Sequence, residues 1–243
     1  MIEVPDELEL TAPQARVLGA LMEKQVTTPD SYPLTLKALT TACNQSTNRD
    51  PVVDYDPQLV ETTLLALKGK GLARVVHPGS GERVTKYRQV ADDALRLDDA
   101  ESAVVCVLLL RGAQTAAELK ARTERLHPFD SATAVEGTLQ ALADREPPIV
   151  RQLERQSGQK ERRWLQLLEV GAEARAAAAA ESSTGGVGAA GSRGASRVDA
   201  LESRVDALEA RLAVLTEALG DLVDLPDPAT APRTGSDPDS PDP

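Results

Sequence analysis

The sequence predicts a mainly α-helical protein with small β-hairpins, and three observations predict it. Apolar residues recur at helical spacing in three successive stretches, followed by an alternating stretch with a Ser-Gly pair near its middle. The same order of elements then occurs a second time. Behind both copies, a Gly/Ser-rich segment leads into a clean heptad.

The repeat is visible as near-identity. VETTLLAL at 60–67 returns as VEGTLQAL at 135–142, six of eight positions matching at an offset of 75. LTAPQARVLGALMEK opens the first copy and LDDAESAVVCVLLLR the second, at an offset of 87. LKA at 36–38 matches LKA at 119–121, offset 83, and the Ser-Gly pairs are offset by 77. Helix one of the first copy starts at the N-cap Thr11, with Pro13 in its first turn. Helix two is expected over Thr35 to Ala42 and helix three over Pro57 to Lys70, ended by Gly71. The hairpin is LARVVH, a PGSG turn, then ERVTKYRQ. Three helices followed by a two-stranded hairpin is the winged-helix arrangement. Two such domains are therefore expected in tandem, at 8–90 and 96–168. With only one Trp, three Tyr and one Phe, their cores must come from Leu, Val and Ala, and the two are expected to lean on each other.

The offsets locate extra material in the first copy. Four residues fall before helix two, in VTTPDSYPL, and eight between helices two and three, in CNQSTNRDPVVDYD. That loop abuts the recognition helix.

Charge and cysteine usage bound the function. The net charge is −11, but 21 basic stand against 25 acidic side chains through residue 170 and 6 against 13 beyond it. The folded part is nearly neutral and the tail acidic, so strong non-specific attraction to DNA is not expected of the whole chain. Cys106 lies in the apolar run AVVCVLLL and reads as core. Two unpaired Cys, no basic apolar leader and no long apolar run point to a cytoplasmic protein without a membrane partner.

The nine residues CNQSTNRDP at 43–51 admit three readings. Catalysis would need a base beside Cys43, and the two His, His77 and His127, each precede a Pro outside any catalytic pattern. No CxxC or His pair offers a zinc site, and PGSG closes a hairpin without opening a helix as a phosphate loop would. No catalytic residue, metal or cofactor is expected, and the protein is read as not an enzyme. As a reading surface, Asn44, Gln45, Thr47, Asn48 and Arg49 could meet base edges or phosphates. As a brace, Asn44, Asn48 and Asp50 would satisfy the loop's own backbone, with Cys43 buried beneath it. The last two readings stay open.

Helix three of the first copy buries Leu59, Val60, Thr63, Leu64 and Leu67 on the expected face and shows Gln58, Glu61, Thr62, Leu65 and Lys68, a thin surface for reading DNA. Its counterpart shows Ser131, Thr133, Glu136, Gln140 and Asp144, which is less suited still. The first hairpin carries Arg83, Lys86 and Arg88, with Lys68, Lys70 and Arg74 close in sequence. The second carries Arg151, Arg155, Lys160, Arg162 and Arg163. Such wings could hold a phosphate backbone or simply protect a sheet edge with charge.

Beyond the repeats, 171–196 reads as an Ala/Gly/Ser linker that opens with a short helical extension, and 225–243 as a disordered acidic, Pro-rich tail. Between them, at 197–224, Val198, Leu201, Val205, Leu208, Leu212, Leu215, Leu219 and Leu222 alternate spacings of three and four, the pattern of a coiled coil. Val at a and Leu at d in the first two heptads favour a parallel homodimer, with Arg197 facing Glu202 and Arg204 facing Glu209 of the partner helix.

The motifs EKQVTTP, ACNQSTNRDPV, GERVTKY and LLLRGAQT, within residues 8–168, resemble the YceH-like family of uncharacterised bacterial proteins. That resemblance implies two tandem winged-helix domains and commonly a C-terminal coiled coil, and brings no assigned activity. The expected function is dimeric binding of double-stranded DNA, regulatory or chromosome-associated, led by the first domain. The alternative is an interaction adaptor that docks a protein partner on its winged-helix surfaces, with exposed Leu65 in its favour.

Overall fold

A computed structural model of the chain describes residues 8–77, 84–155 and 161–184. The fold is mainly helical, with antiparallel sheets of three and two strands. The described residues belong to one compact unit. The expected linker beyond α8, the heptad from Val198 to Leu222 and the acidic tail lie outside the described residues, as does Arg83.

Helix α1 (Ala12–Thr27) starts at a reciprocal cap: Gln14 N–H donates to the Thr11 hydroxyl and Thr11 N–H donates to the Gln14 side chain. A 3₁₀ turn over Pro29–Ser31 leads to strand β1 (Leu34–Thr35) and helix α2 (Leu36–Cys43), capped by Thr35. Helix α3 (Pro57–Gly69) has Asp56 as its cap and Pro57 at its first position. Gly71, at φ +74°, turns the chain into strand β2 (Ala73–Val76), which pairs with β3 (Lys86–Gln89). The order β1–β3–β2 makes the sheet three-stranded, because the residues inserted before helix two pair Leu34 with Tyr87 and Thr35 with Lys86. Tyr32 anchors this edge by accepting from the Gln89 N–H at 2.7 Å, and burial pushes its hydroxyl up to about 12.

A short helix α4 (Ala91–Leu95) joins the repeats and has no counterpart in the expected elements. The second repeat comprises α5 (Asp99–Arg111), α6 (Ala116–Thr123), α7 (Ala132–Ala143) and the pair β4 (Val150–Gln152) and β5 (Trp164–Gln166). Its first strand has shrunk to one bridge, Gln114 to Trp164, so both repeats share one topology. Helix α8 (Ala172–Thr184) follows, and Leu10 is tied to the end of the second repeat by Leu10 N–H to Leu168 O and Val170 N–H to Leu10 O.

Helices α1 and α5 pack against each other at the centre of one continuous core. Every residue from Ala15 to Met22 and from Ala103 to Leu110 is buried, so both helices are covered all round. The approach is tight at Gly19, where a Cβ would lie 2.9 Å from Leu110 Cγ. Cys106 is core, as expected: its thiol donates to the Gly19 carbonyl at 3.4 Å, and burial raises its pKa.

Two expectations need correction. Leu59 is exposed, because the buried stripe of α3 runs through Val60, Thr63, Leu64 and Leu67. The matched LKA triplets are also not equivalent, since Leu36 opens α2 whereas Leu119 is the fourth residue of α6. Of the twelve extra residues in the first repeat, three lengthen α1, four precede α2 and five enlarge the loop before α3.

Candidate functional site

The loop between α2 and α3 is built around Arg49. Its side chain is fully buried, and it donates two hydrogen bonds to the Glu23 carboxylate on α1, at 2.7 and 3.1 Å. It also donates twice to the Ala42 carbonyl at the end of α2, and to Gln45 Oε1 and the Asn48 carbonyl. Burial alone would push the Glu23 carboxyl up, but the hydrogen bonds and charge of Arg49, with Lys24, outweigh it and leave Glu23 below its usual value. Of the two readings of this loop, reader and brace, Arg49 is placed as a brace: every donor group of its side chain is engaged inside the fold.

Asn44 closes the same loop. Its Oδ1 accepts from the Tyr55 N–H at 2.9 Å and its Nδ2 donates to the Tyr55 carbonyl at 2.8 Å, as a paired strand residue would. Arg16, buried on α1, donates to the carbonyls of Cys43 and Pro51. Burial raises the Cys43 thiol to about 12, against the weaker pull of Arg49 and Arg16, so at neutral pH it holds no thiolate. His127 packs edge-on against Phe129 and His77 is exposed on the first hairpin.

The loop also reaches the second repeat. Asp50 N–H donates to the Leu110 carbonyl at 2.9 Å, and Arg111 Nη1 donates to Asn48 Oδ1 at 3.1 Å. Asn48 adopts a left-handed backbone, φ 58°, which Asn tolerates better than most residues. Of the expected reading residues, Asn44 and Arg49 brace the loop, Gln45 is half-buried against Arg49, and Thr47 and Asn48 face solvent. Glu23, Arg16 and Arg111 had no part in the sequence reading; their roles depend on partners 26 to 63 residues away.

The first hairpin gathers charge on one face. The register sets Arg74 opposite Arg88 and Val76 opposite Lys86, so Arg74, Arg88 and Lys86 share a side of the sheet. Lys68 is exposed on the last turn of α3 and Lys70, half-buried, caps it. Like charges directly opposite destabilise a strand pair unless an anion lies over them. On the exposed face of α3, Leu65 is 60% exposed, and Val52 of the preceding loop is 59% exposed. Among the described residues no cluster of His, Cys, Asp or Glu is placed to hold a metal ion, and no helix is long and apolar enough to cross a membrane.

Both repeats fall within one sequence family. Residues 10–159 match the model described as "Protein of unknown function, DUF480". The chain belongs to this family. A UPF0502 protein of Solibacter usitatus is 53% identical over 161 residues, 66% of this chain and 76% of that one. One from Geotalea daltonii is 49% identical over 161 residues, 66% of this chain and 73% of the relative. One from Shewanella sp. strain MR-4 is 45% identical over 170 residues, 68% of this chain and 76% of the relative. The family reached from the motifs is thus the one found by comparison. The expected dimerisation residues, Val198 to Leu222, lie beyond the matched region.

Proposed function

We propose that this member of the DUF480 family is a non-enzymatic, cytoplasmic protein of two tandem winged-helix domains that binds double-stranded DNA as a dimer, the first domain making the main contact and the C-terminal heptad joining the chains. The observation that carries the reading is the basic face of the first wing, with Arg74 set opposite Arg88, Lys86 on the same side, and Lys68 and Lys70 at the adjoining end of α3. Three cations on one face of a hairpin suit a backbone of regularly spaced phosphates. Thr47 and Ser46, exposed on the loop before α3, are the residues left to approach the duplex beside the helix.

A second reading is an adaptor that docks a protein partner over α3. It is favoured by exposed Leu65, Leu59 and Val52, apolar side chains on or just before that helix. Affinity for duplex DNA across a salt series separates the two. For a DNA binder, log K falls with log salt by about 0.9 per phosphate contact. A slope of several units is expected, with much weaker binding after truncation at residue 185 and loss on joint Arg74→Ala and Arg88→Ala substitution. No binding at low salt would overturn the DNA reading and leave the adaptor, to be pursued through Leu65→Glu and partner capture.

A further inference from the structure

Four buried side-chain polar atoms among the described residues have no hydrogen-bond partner from the protein, and three of them, Arg111 Nε, Gln114 Oε1 and Arg122 Nη1, belong to the end of α5, the turn after it and the end of α6. Buried polar groups are seldom left unpaired, so three within twelve residues of chain point to something the protein is shaped to receive. Their surroundings say what. Arg111 Nη1 is held by Asn48 of the first repeat, and the neighbouring turn by Asp50 N–H to the Leu110 carbonyl. Arg122 Nη2 lies 3.8 Å from Glu118, and Arg163 Nη1 lies 3.0 Å from the same carboxylate while donating to the Ala113 carbonyl. Gln114 is 4% exposed and donates its amide to the carbonyls of Arg111 and Ala113, which fixes where its oxygen points.

We propose that the notch where the 43–51 loop meets the α5–α6 turn binds one phosphate group, held by Arg111 and Arg122. Glu118 lies between Arg122 and Arg163, and the charges of Arg111 and of the exposed Asp50 also reach Arg122, so three guanidiniums stand near two carboxylates. One positive charge is left over, which one phosphate monoanion or one phosphodiester neutralises. The unpaired N–H groups of the two arginines need acceptors, and Gln114 Oε1 accepts from a protonated phosphate oxygen or a water beside it. Burial, and then the neighbouring charge of Arg111, lower the basicity of Arg122, which an anion in the notch would relieve. Arg111 and Arg122 are half-buried, so solvent reaches part of each side chain, while the unpaired nitrogen of each is covered. The site needs both repeats, since Asn48 aims Arg111, and it does not depend on the wing binding DNA.

Calorimetric titration of inorganic phosphate into the full chain, at constant ionic strength, tests the site. Saturable uptake of one phosphate per chain is expected, weakened about tenfold or more by Arg111→Gln and by Arg122→Gln, which lose a charge-assisted donor. Lys37→Gln, at an exposed lysine of α2 outside both the notch and the basic hairpin, should leave it unchanged. Failure to saturate, or uptake untouched by both variants with the fold intact by circular dichroism, overturns the proposal. Should the variants not fold, the wild-type melting temperature decides: a rise with phosphate at fixed ionic strength supports the site, and no rise overturns it. A short duplex that displaces phosphate identifies the group as nucleic-acid backbone; a duplex that leaves it bound identifies a free phosphate or small phosphate ester.

Discussion

In the first repeat thirteen residues connect α2 to α3, and in the second eight connect α6 to α7. The longer connection carries Arg49, sealed from solvent against Glu23; the shorter one has no buried charge. The second repeat keeps its own Glu–Arg pair elsewhere, Arg145 donating to both oxygens of Glu101 at 2.7 and 2.6 Å and to the carbonyls of Leu95 and Arg96. Here the Arg side chain is 28% exposed and the pair closes the junction between the repeats. One topology thus supports two fastenings, a buried one inside the first helical layer and a more solvated one at the seam. An insertion rich in amides, hydroxyls and charge can be structural when its polar atoms find each other.

The largest expected effect separates these fastenings. Arg49→Leu leaves the Ala42 carbonyl without its side-chain donor and the Glu23 carboxylate with Lys24 alone, and should cost about 3–5 kcal/mol in denaturant unfolding. Arg145→Leu, at a site that water reaches, should cost about 1–3 kcal/mol. Equal losses would show that burial does not set the difference between the repeats. Acid sharpens the same contrast. Because the Glu23 pKa is depressed in the folded chain, its stabilisation is complete above the ordinary value of 4.5 and disappears as pH falls from there through the folded value. Glu23→Gln should therefore flatten the acid limb of a stability–pH curve below pH 4.5. An unchanged limb would remove Glu23 as its source.

A smaller effect lies at the contact the repeats share. Gly19→Ala places a methyl 2.9 Å from Leu110 Cγ and 3.2 Å from Leu109 Cβ, in a helix pair with no free side. Overpacking costs about 1–3 kcal/mol and the better helix propensity of Ala returns up to about 1 kcal/mol. A net loss of about 1–2 kcal/mol is expected in thermal or denaturant unfolding. A stabilised variant would mean that α5 can move away from α1, and that the repeats are less firmly joined than their common core implies.

Much of this arrangement was legible in the sequence because its signals are local. Thr11 announces a helix start through its own side chain, and Gly71 a helix end because glycine takes the left-handed turn without steric cost. The repeat exposed the shared topology and the presence of inserted residues. What stayed hidden depends on distant partners. Arg49 looks like a surface charge until Glu23 is seen beneath it, and a buried arginine is tolerated only with such a partner. Strand β1 exists because β3 lies beside it, and two residues give no periodicity to read. The LKA triplets misled because identity of three residues is weaker evidence than the caps, which place α2 and α6 correctly.

The smallest effect asks how much the loop's reach into the second repeat contributes. Asn48 does two things at once: it holds a left-handed backbone at φ 58° and accepts from Arg111 at 3.1 Å. Asn48→Ala loses both, the first costing about 1 kcal/mol for a residue with a Cβ and the second about 0.5 kcal/mol where water can replace the acceptor. Asn48→Gly keeps the backbone conformation at no steric cost and loses only the acceptor. Equilibrium unfolding should therefore rank Asn above Gly above Ala, with the larger step between Gly and Ala. If Gly proves as damaging as Ala, the bond to Arg111 carries the cost, and the enlarged loop of the first repeat is a clasp on the second. If Gly is neutral, the loop is held by Arg49 and Asn44 alone, and Arg111 can turn toward a ligand with little cost to the fold.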